Sequence, residues 1–329
     1  MRAARSCTGC CGTWRIGCVG WRTRSWRGTI ARSAGDRRRM PELPEVECVA
    51  RRLAPRLRGR RLVGVELRDE RLGRVDACGV VGCEVEGVRR VGKQVAIRFR
   101  GRERTVLLCH LRMTGRLVWI ADGETAPETR HLRVRLRFGG GELWFVDPRR
   151  FGTLRFVAGG EAVCAAGLEP MSRGCTVERL AGLLAGSRQE LKPWLLRQDR
   201  VVGIGNIYAS EIAFRARLHP RRLAGSLGPG EIRRLHGAIR GVLRRAIRWG
   251  GTTFSDFADP RGRAGGFGAR LAVYGRGGCR CRRCGSVIVR SVQQQRSTYH
   301  CPGCQPLRPS GTDAARGSAA RQRGGVGDG

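Results

Sequence analysis

The chain has 329 residues, enough for two domains and a sizeable core, and a formal net charge of +37 from 64 Lys plus Arg against 27 Asp plus Glu. An excess of cations adds nothing to fold stability and implies a polyanionic partner, nucleic acid first and an anionic membrane surface second, with a GC-rich coding sequence the alternative source of so much Arg, Ala and Gly. No apolar run approaches ~18 residues, which excludes a helical membrane span, and fifteen scattered cysteines with no secretory signal ahead of them point to a reducing cytosol.

Residues 1–39 hold ten arginines, one aspartate, four cysteines and three tryptophans, with no periodicity that would build a helix or strand. They read as a non-native or disordered extension, with Met40 the initiator of a bacterial chain. An Arg-rich targeting peptide is the alternative, against which the sparse serine counts. Without this segment the net charge is still +28.

The run Met40-Pro41-Glu42-Leu43-Pro44-Glu45-Val46-Glu47 follows. If Met40 starts the chain and is trimmed, the Pro41 ring nitrogen becomes a secondary amine able to attack an electrophilic carbon. Inside a peptide bond the same nitrogen is an amide and no nucleophile. A helix is expected over about Glu45 to Arg58, because Val46, Val49, Leu53 and Leu57 recur on one face.

From about Arg61 to Phe156 the pattern has period two. Leu132 to Phe138 alternates, Gly139-Gly140-Gly141 turns, and Leu143 to Val146 returns, a hairpin of an antiparallel sheet with one buried face. The alternating Arg133, Arg135 and Arg137 read as a solvated outer face. Residues 40–156 thus form one domain and 157–175, rich in Gly and Ala, a linker.

A helical domain is expected over 176–262, with Thr176 as an N-cap. Ile232, Leu235, Ile239, Val242 and Ala246 mark a long helix stopped by Gly250-Gly251. In Val202-Gly203-Ile204-Gly205-Asn206 the glycines allow close backbone approach, so that a helix N-terminus can offer N–H groups to a phosphate, with Asn206 beside it.

Cys281-x2-Cys284 and Cys301-x2-Cys304, sixteen residues apart, have the spacing of a four-cysteine zinc site over 270–304. Cys279 is a bystander. Val287 to Val289 and Ser297 to Tyr299 are expected to be strands joined near Gln293 to Gln295. Residues 305–329 lack core residues and are expected to be disordered. The remaining cysteines, Cys48, Cys78, Cys83, Cys109, Cys164 and Cys175, have no assigned role beyond packing.

The proline run and the cysteine motif together resemble the formamidopyrimidine-DNA glycosylases, over about residues 40–305. The intermediate segments His110 to Gly115, Asp147 to Gly152 and Val202 to Glu211 also match. The resemblance implies an α+β protein: an N-terminal antiparallel β-sandwich with a leading helix, then a helical domain with a helix–two-turn–helix and a zinc β-hairpin. It implies a bifunctional glycosylase and abasic-site lyase that removes oxidised purines from duplex DNA through an N-terminal proline Schiff base.

By motif position the resemblance makes Pro41 the nucleophile, Glu42 the proton carrier, and Lys93 and Arg296 phosphate-binding residues of the catalytic set. Glu45 supports the site by a hydrogen bond near the helix N-terminus. Met113, Arg149 and Phe151 would enter the duplex where a nucleotide is extruded, and His131, Arg188, Lys192 and Asn206 would contact DNA. One structural zinc ion, a DNA partner with oxidised bases or abasic sites, a monomer, and a place at the bacterial nucleoid complete the expectation. Leu43 favours the purine branch over an oxidised-pyrimidine, endonuclease VIII-like relative. A non-catalytic zinc-dependent DNA-binding protein is the alternative if residues 1–39 are retained.

Overall fold

The structure, a computed structural model, describes residues 40–69, 72, 79–101, 104–125, 128, 130–157, 165–252 and 265–307. The expected extension over 1–39, Cys78, Cys164 and the chain after Leu307 lie outside the described residues.

Helix α1 (Leu43–Leu57) begins two residues before the expected start. Glu42 is its extended N-cap, and Pro44 sits in the first turn, where a missing N–H breaks no bond. Glu45 turns back to accept the Glu42 N–H at 3.0 Å. Val46, Val49, Leu53 and Leu57 form the buried face.

Two four-stranded antiparallel sheets enclose that face. One has the order β1-β6-β7-β5, from β1 (Leu62–Leu67), β5 (Arg116–Ala121), β6 (Leu132–Phe138) and β7 (Gly141–Val146). The other has the order β2-β3-β4-β8, from β2 (Glu84–Val91), β3 (Gln94–Arg100), β4 (Val106–His110) and β8 (Thr153–Val157). Val95, Ile97, Phe99 and Leu107 of one meet Val134, Leu136, Leu143 and Phe145 of the other, with Leu53 and Leu57 of α1 in the same cluster. The expected sandwich and the β6–β7 hairpin are both present.

The expected solvated row of arginines on β6 is not. A register shift between Leu132 and Val134 takes Arg133 out of the ladder, and its side chain is buried against Asp69 at 3.4 Å and the Asp147 carbonyl at 2.8 Å. Arg135 lies between Glu66 and Glu142, both at 3.3 Å, and over the Trp144 ring. Arg137 is exposed as expected. A bulge breaks the period on which the outward reading rested.

In the helical half, α2 (Val177–Leu184) is capped by the Thr176 hydroxyl, which accepts the Arg179 N–H at 3.3 Å. Next come α3 (Leu191–Leu196), α4 (Asn206–Ala216) and α5 (Pro229–Arg248). Gly250 and Gly251 both have positive φ and end α5 as expected. Trp194, Tyr208, Ile212, Leu235, Ile239 and Leu243 share one core. The span expected to be a linker is partly structured: Val157 closes β8, and Leu168 bridges to Val201.

Strands β9 (Val289–Gln293) and β10 (Arg296–His300) lie closer to their turn than expected, because Gln294 and Gln295, both at positive φ, make a two-residue turn that pairs Gln293 with Arg296. Val287 instead pairs with Arg280 in an isolated bridge. Gln305, expected in a disordered tail, is fully buried. Its Oε1 accepts the Cys301 N–H at 3.0 Å and its Nε2 donates to the Leu218 carbonyl at 2.7 Å. Among the described residues no helix is long and apolar enough to cross a membrane.

Candidate active site and nucleic-acid interface

The first residues of α1 meet the first residues of α4. The Glu42 carboxylate accepts the N–H groups of Gly205 at 2.7 Å, Ile207 at 2.9 Å and Tyr208 at 3.3 Å. A glutamate from the N-terminal half thereby supplies the acceptor that the unpaired N–H groups of a helix start require. Gly205 has no room for a side chain, since a Cβ would collide with that carboxyl. Gly203, at φ +84°, gives its carbonyl to the Leu43 N–H at 2.9 Å. The sequence reading assigned these N–H groups to a phosphate; in the structure they belong to Glu42.

Burial raises the Glu42 carboxyl to about 7, and outweighs Lys93, which pulls the other way, while Glu45 adds to the rise. Glu45 is itself raised by burial. Its Oε1 accepts the Tyr208 hydroxyl at 2.6 Å, the Thr252 N–H at 2.7 Å and the Thr252 hydroxyl at 2.8 Å. Pro41 is buried next to Glu42, its nitrogen joined to Met40 in this chain.

Lys93 follows Gly92 (φ +56°) in the β2–β3 turn and donates to the Ile204 carbonyl at 2.9 Å. Burial lowers its pKa; the Glu42 charge opposes this and Arg296 reinforces it. Lys93 therefore sits within reach of the charges of both Glu42 and Arg296, which come from distant stretches of chain. Arg296 is the exposed first residue of β10.

Lys192 differs from expectation. It is buried, and its Nζ donates to the Ser297 carbonyl and the Thr298 hydroxyl, both at 2.8 Å. Asn206 Nδ2 donates to the same Ser297 carbonyl at 3.1 Å. Both thus hold the strand that carries Arg296 against α3 and α4. Only these two lysines, Lys93 and Lys192, occur among 64 basic residues. In a chain that otherwise uses arginine, a compact ammonium at two enclosed positions was a readable signal.

Arg149, Met113 and Phe151 are brought together. The Arg149 guanidinium lies 3.7 Å from the Met113 sulfur and over the Phe151 ring at 4.7 Å, and Phe151 is 50 % exposed. His131 is half-buried at the base of that loop, its carbonyl accepting the Asp147 N–H at 3.0 Å. Arg188 is exposed between α2 and α3.

Sequence reasoning missed three junction residues. Gln198 bonds the Gly203 N–H and the Ile204 carbonyl, both at 2.9 Å. Tyr208 joins Glu45. Glu211, buried on α4, accepts the N–H groups of Ala272, Val273 and Tyr274 at about 2.9 Å and so anchors the approach to the hairpin. A carboxylate within the apolar run of α4 was the only hint of the last.

The four sulfurs of Cys281, Cys284, Cys301 and Cys304 lie within 4.8 Å of one another. Cys284 is 3.3 Å from Cys301 and 3.5 Å from Cys304, and Cys281 is 3.9 Å from Cys304. A tetrahedron with ~2.3 Å metal–sulfur bonds has edges of ~3.8 Å, so the four thiolates fit one metal ion. The Arg283 and Cys304 N–H groups point at the Cys281 and Cys301 sulfurs, each at 3.4 Å. Cys279 is exposed and outside the cluster. Cys48, Cys109 and Cys175 are buried and form no disulfide.

Comparison with known proteins gives two family matches. The formamidopyrimidine-DNA glycosylase N-terminal domain matches residues 40–154, and the formamidopyrimidine-DNA glycosylase H2TH domain matches residues 166–258. A formamidopyrimidine-DNA glycosylase of Symbiobacterium thermophilum is 43% identical over 279 residues, 82% of this chain and 90% of the relative. The crystal structure of the MutM (Fpg) protein of Thermus thermophilus superposes with a TM-score of 0.72 at 40% identity, covering 82% of this chain and 100% of that one. A Lactococcus lactis FPG mutant in complex with a Fapy-dG containing DNA superposes with a TM-score of 0.73 at 31% identity, over 81% of this chain and 100% of that one.

Proposed function

The chain belongs to the formamidopyrimidine-DNA glycosylase family of DNA-repair glycosylases, and from that membership we propose that it excises oxidised purines from duplex DNA and then cuts the strand as a β,δ-lyase through an N-terminal Pro41 amine. One observation carries the proposal: the carboxyl next to Pro41 is buried at the start of α4, held by the Gly205 and Ile207 N–H groups, where burial raises it to about 7 against the pull of Lys93.

In this reading the damaged nucleotide swings out of the stack, and Met113, Arg149 and Phe151 fill the space it leaves. The Pro41 amine attacks the sugar's anomeric carbon and the base departs. The secondary amine gives an iminium that cannot lose its charge by deprotonation at nitrogen, which makes it an electron sink for elimination. Glu42, its carboxyl raised above the usual glutamate range by burial, gives a proton to the opening sugar and takes one in the elimination. Lys93 and Arg296 hold the flanking phosphates. All of this requires that the Met40–Pro41 bond be cut.

The test uses the chain started at Met40, its N-terminus verified by intact mass, and duplexes labelled at either end. With 8-oxoguanine opposite cytosine, we expect cuts on both sides of the lesion and a one-nucleotide gap. Thymine glycol cut equally well would favour the oxidised-pyrimidine branch. Binding without cuts would favour a non-catalytic protein, which is the outcome expected when residues 1–39 are retained.

Four thiolates suit zinc, and we assign it a structural role as one Zn2+ that holds the hairpin bearing Arg296. The enzyme is taken to act as a monomer at the bacterial nucleoid. Chelation of the metal is expected to weaken duplex binding at least ~10-fold, through loss of the Arg296 phosphate contact. The thermal transition of the sandwich should survive. Fluorescence anisotropy and calorimetry check this, and undiminished binding after verified metal loss would refute the role.

A further inference from the structure

Met113 and the pair Arg149 and Phe151 come from two separate loops, and one buried carboxylate joins them. Asp147 follows β7 and is fully buried. Its Oδ1 accepts the Thr114 hydroxyl at 2.5 Å and the Arg149 N–H at 3.2 Å, and its Oδ2 accepts the Gly152 N–H at 2.7 Å. Thr114 follows Met113 directly, and Arg149 and Gly152 enclose Phe151. The Asp147 main chain is held as well: its N–H donates to His131 at 3.0 Å and its carbonyl accepts from Arg133 at 2.8 Å.

Each loop contains a non-glycine residue in the left-handed region beside a residue of this trio. Arg112 (φ +51°) precedes Met113, and Arg150 (φ +59°) stands between Arg149 and Phe151. Such backbone persists only where the surroundings dictate it. The surroundings here are the Asp147 bonds, together with Asp69, which holds Arg150 at 2.9 Å and Arg133 at 3.4 Å. Gly152 reinforces the fit, since a Cβ would collide with Phe145 and crowd Asp147. The three donors to the carboxylate are a neutral hydroxyl and two amides, groups that fix direction and distance.

We propose that Asp147, acting through Thr114, is a positioning residue that locks the two loops into one rigid wedge, so that Met113, Arg149 and Phe151 enter the duplex together. The proposal rests on the reading of the chain as a base-extruding glycosylase. It predicts a selective defect. A stacked 8-oxoguanine must be unstacked against resistance, whereas an abasic deoxyribose offers no base to unstack.

The experiment compares the Met40-started chain with its Thr114→Val, Thr114→Ser and Asp147→Asn variants under single-turnover conditions. Duplexes carry either 8-oxoguanine or an abasic site, with 2-aminopurine beside the lesion to read unstacking. Thr114→Val and Asp147→Asn should slow 8-oxoguanine excision ~10- to 100-fold and blunt the aminopurine rise, with abasic-site cleavage falling less than ~3-fold. Thr114→Ser, which keeps the hydroxyl, should behave as wild type. Equal losses on both duplexes, or a normal aminopurine rise in Thr114→Val, would overturn the proposal. If Asp147→Asn does not fold, Thr114→Val decides. The aminopurine signal needs no bond cleavage, so it reads the wedge even if the wild-type chain cuts neither duplex, a result that would count against the proposed reaction alone.

Discussion

Borohydride added during turnover on 8-oxoguanine DNA is expected to trap a covalent protein–DNA adduct only when Pro41 is the N-terminal residue. An amide nitrogen has its lone pair delocalised into the carbonyl and cannot form an iminium. The amine released by cutting the Met40–Pro41 bond can. A chain that keeps residues ahead of Pro41 should give no adduct, and its strand cutting should fall at least ~10³-fold, as expected for a missing nucleophile. Pro41→Ala with Met40 retained should behave the same way. Pro41 is buried, so the substitution can disturb packing. The extended chain, which alters no buried side chain, is the cleaner comparison. Intact mass and gel mobility after trapping make the measurement. An adduct formed by a chain whose residues before Pro41 are verified as present would assign the nucleophile to another group.

Glu42→Gln is expected to lower glycosylase turnover by ~10²- to 10⁴-fold, the range usual for loss of a positioned acid–base group. The wild-type rate should show a limb with its midpoint near the Glu42 value of about 7, and Gln, which does not titrate, should abolish that limb. Stability carries a second signature. The folded-state value is raised, so the Glu42 contribution is fully present below the ordinary glutamate range near 4.5 and is lost as pH rises through about 7. The stability of wild type relative to Glu42→Gln should therefore fall across that window, by a few kcal/mol at most. Glutamine also turns an amide N–H toward the backbone N–H groups that Glu42 accepts. A constant offset is expected from that, and the pH trend isolates the titration. Thermal melts of both proteins between pH 4.5 and 8 provide the check. A difference that stays flat would mean the carboxyl is not held near neutrality.

Much of the architecture is legible in the sequence. The apolar face of α1, the β6–β7 hairpin and the Thr176 cap each depend on neighbours within a few residues, where period and capping chemistry decide. The cysteine pairs were equally plain, because each knuckle presents two sulfurs from four consecutive residues and only the final meeting of the pairs is long-range. Where the reading went astray, the missing information came from far along the chain. The resemblance places Lys192 at the DNA, as a phosphate contact. Inside the structure the Ser297 carbonyl and Thr298 hydroxyl, from β10, give its ammonium the partners that permit burial. Arg133 was expected in solvent because alternation assumes an unbroken ladder. The bulge beside it, with Asp69 and the Asp147 carbonyl, turned it inward.

Glu42 shows the division most clearly. The order of residues determined that a carboxylate would stand beside Pro41, and that a glycine-flanked helix start would occur more than 160 positions later. Neither fact implies that the two would meet. The tertiary structure made them partners, because both halves had unmet needs at the same place. One was a helix N-terminus with unpaired N–H groups, the other a buried carboxylate in need of donors. Burial at that junction raises the carboxyl to about 7, although the Ile207 and Tyr208 N–H groups pull it down, an acidity the linear chain does not encode, since it comes from burial and charge set by distant segments.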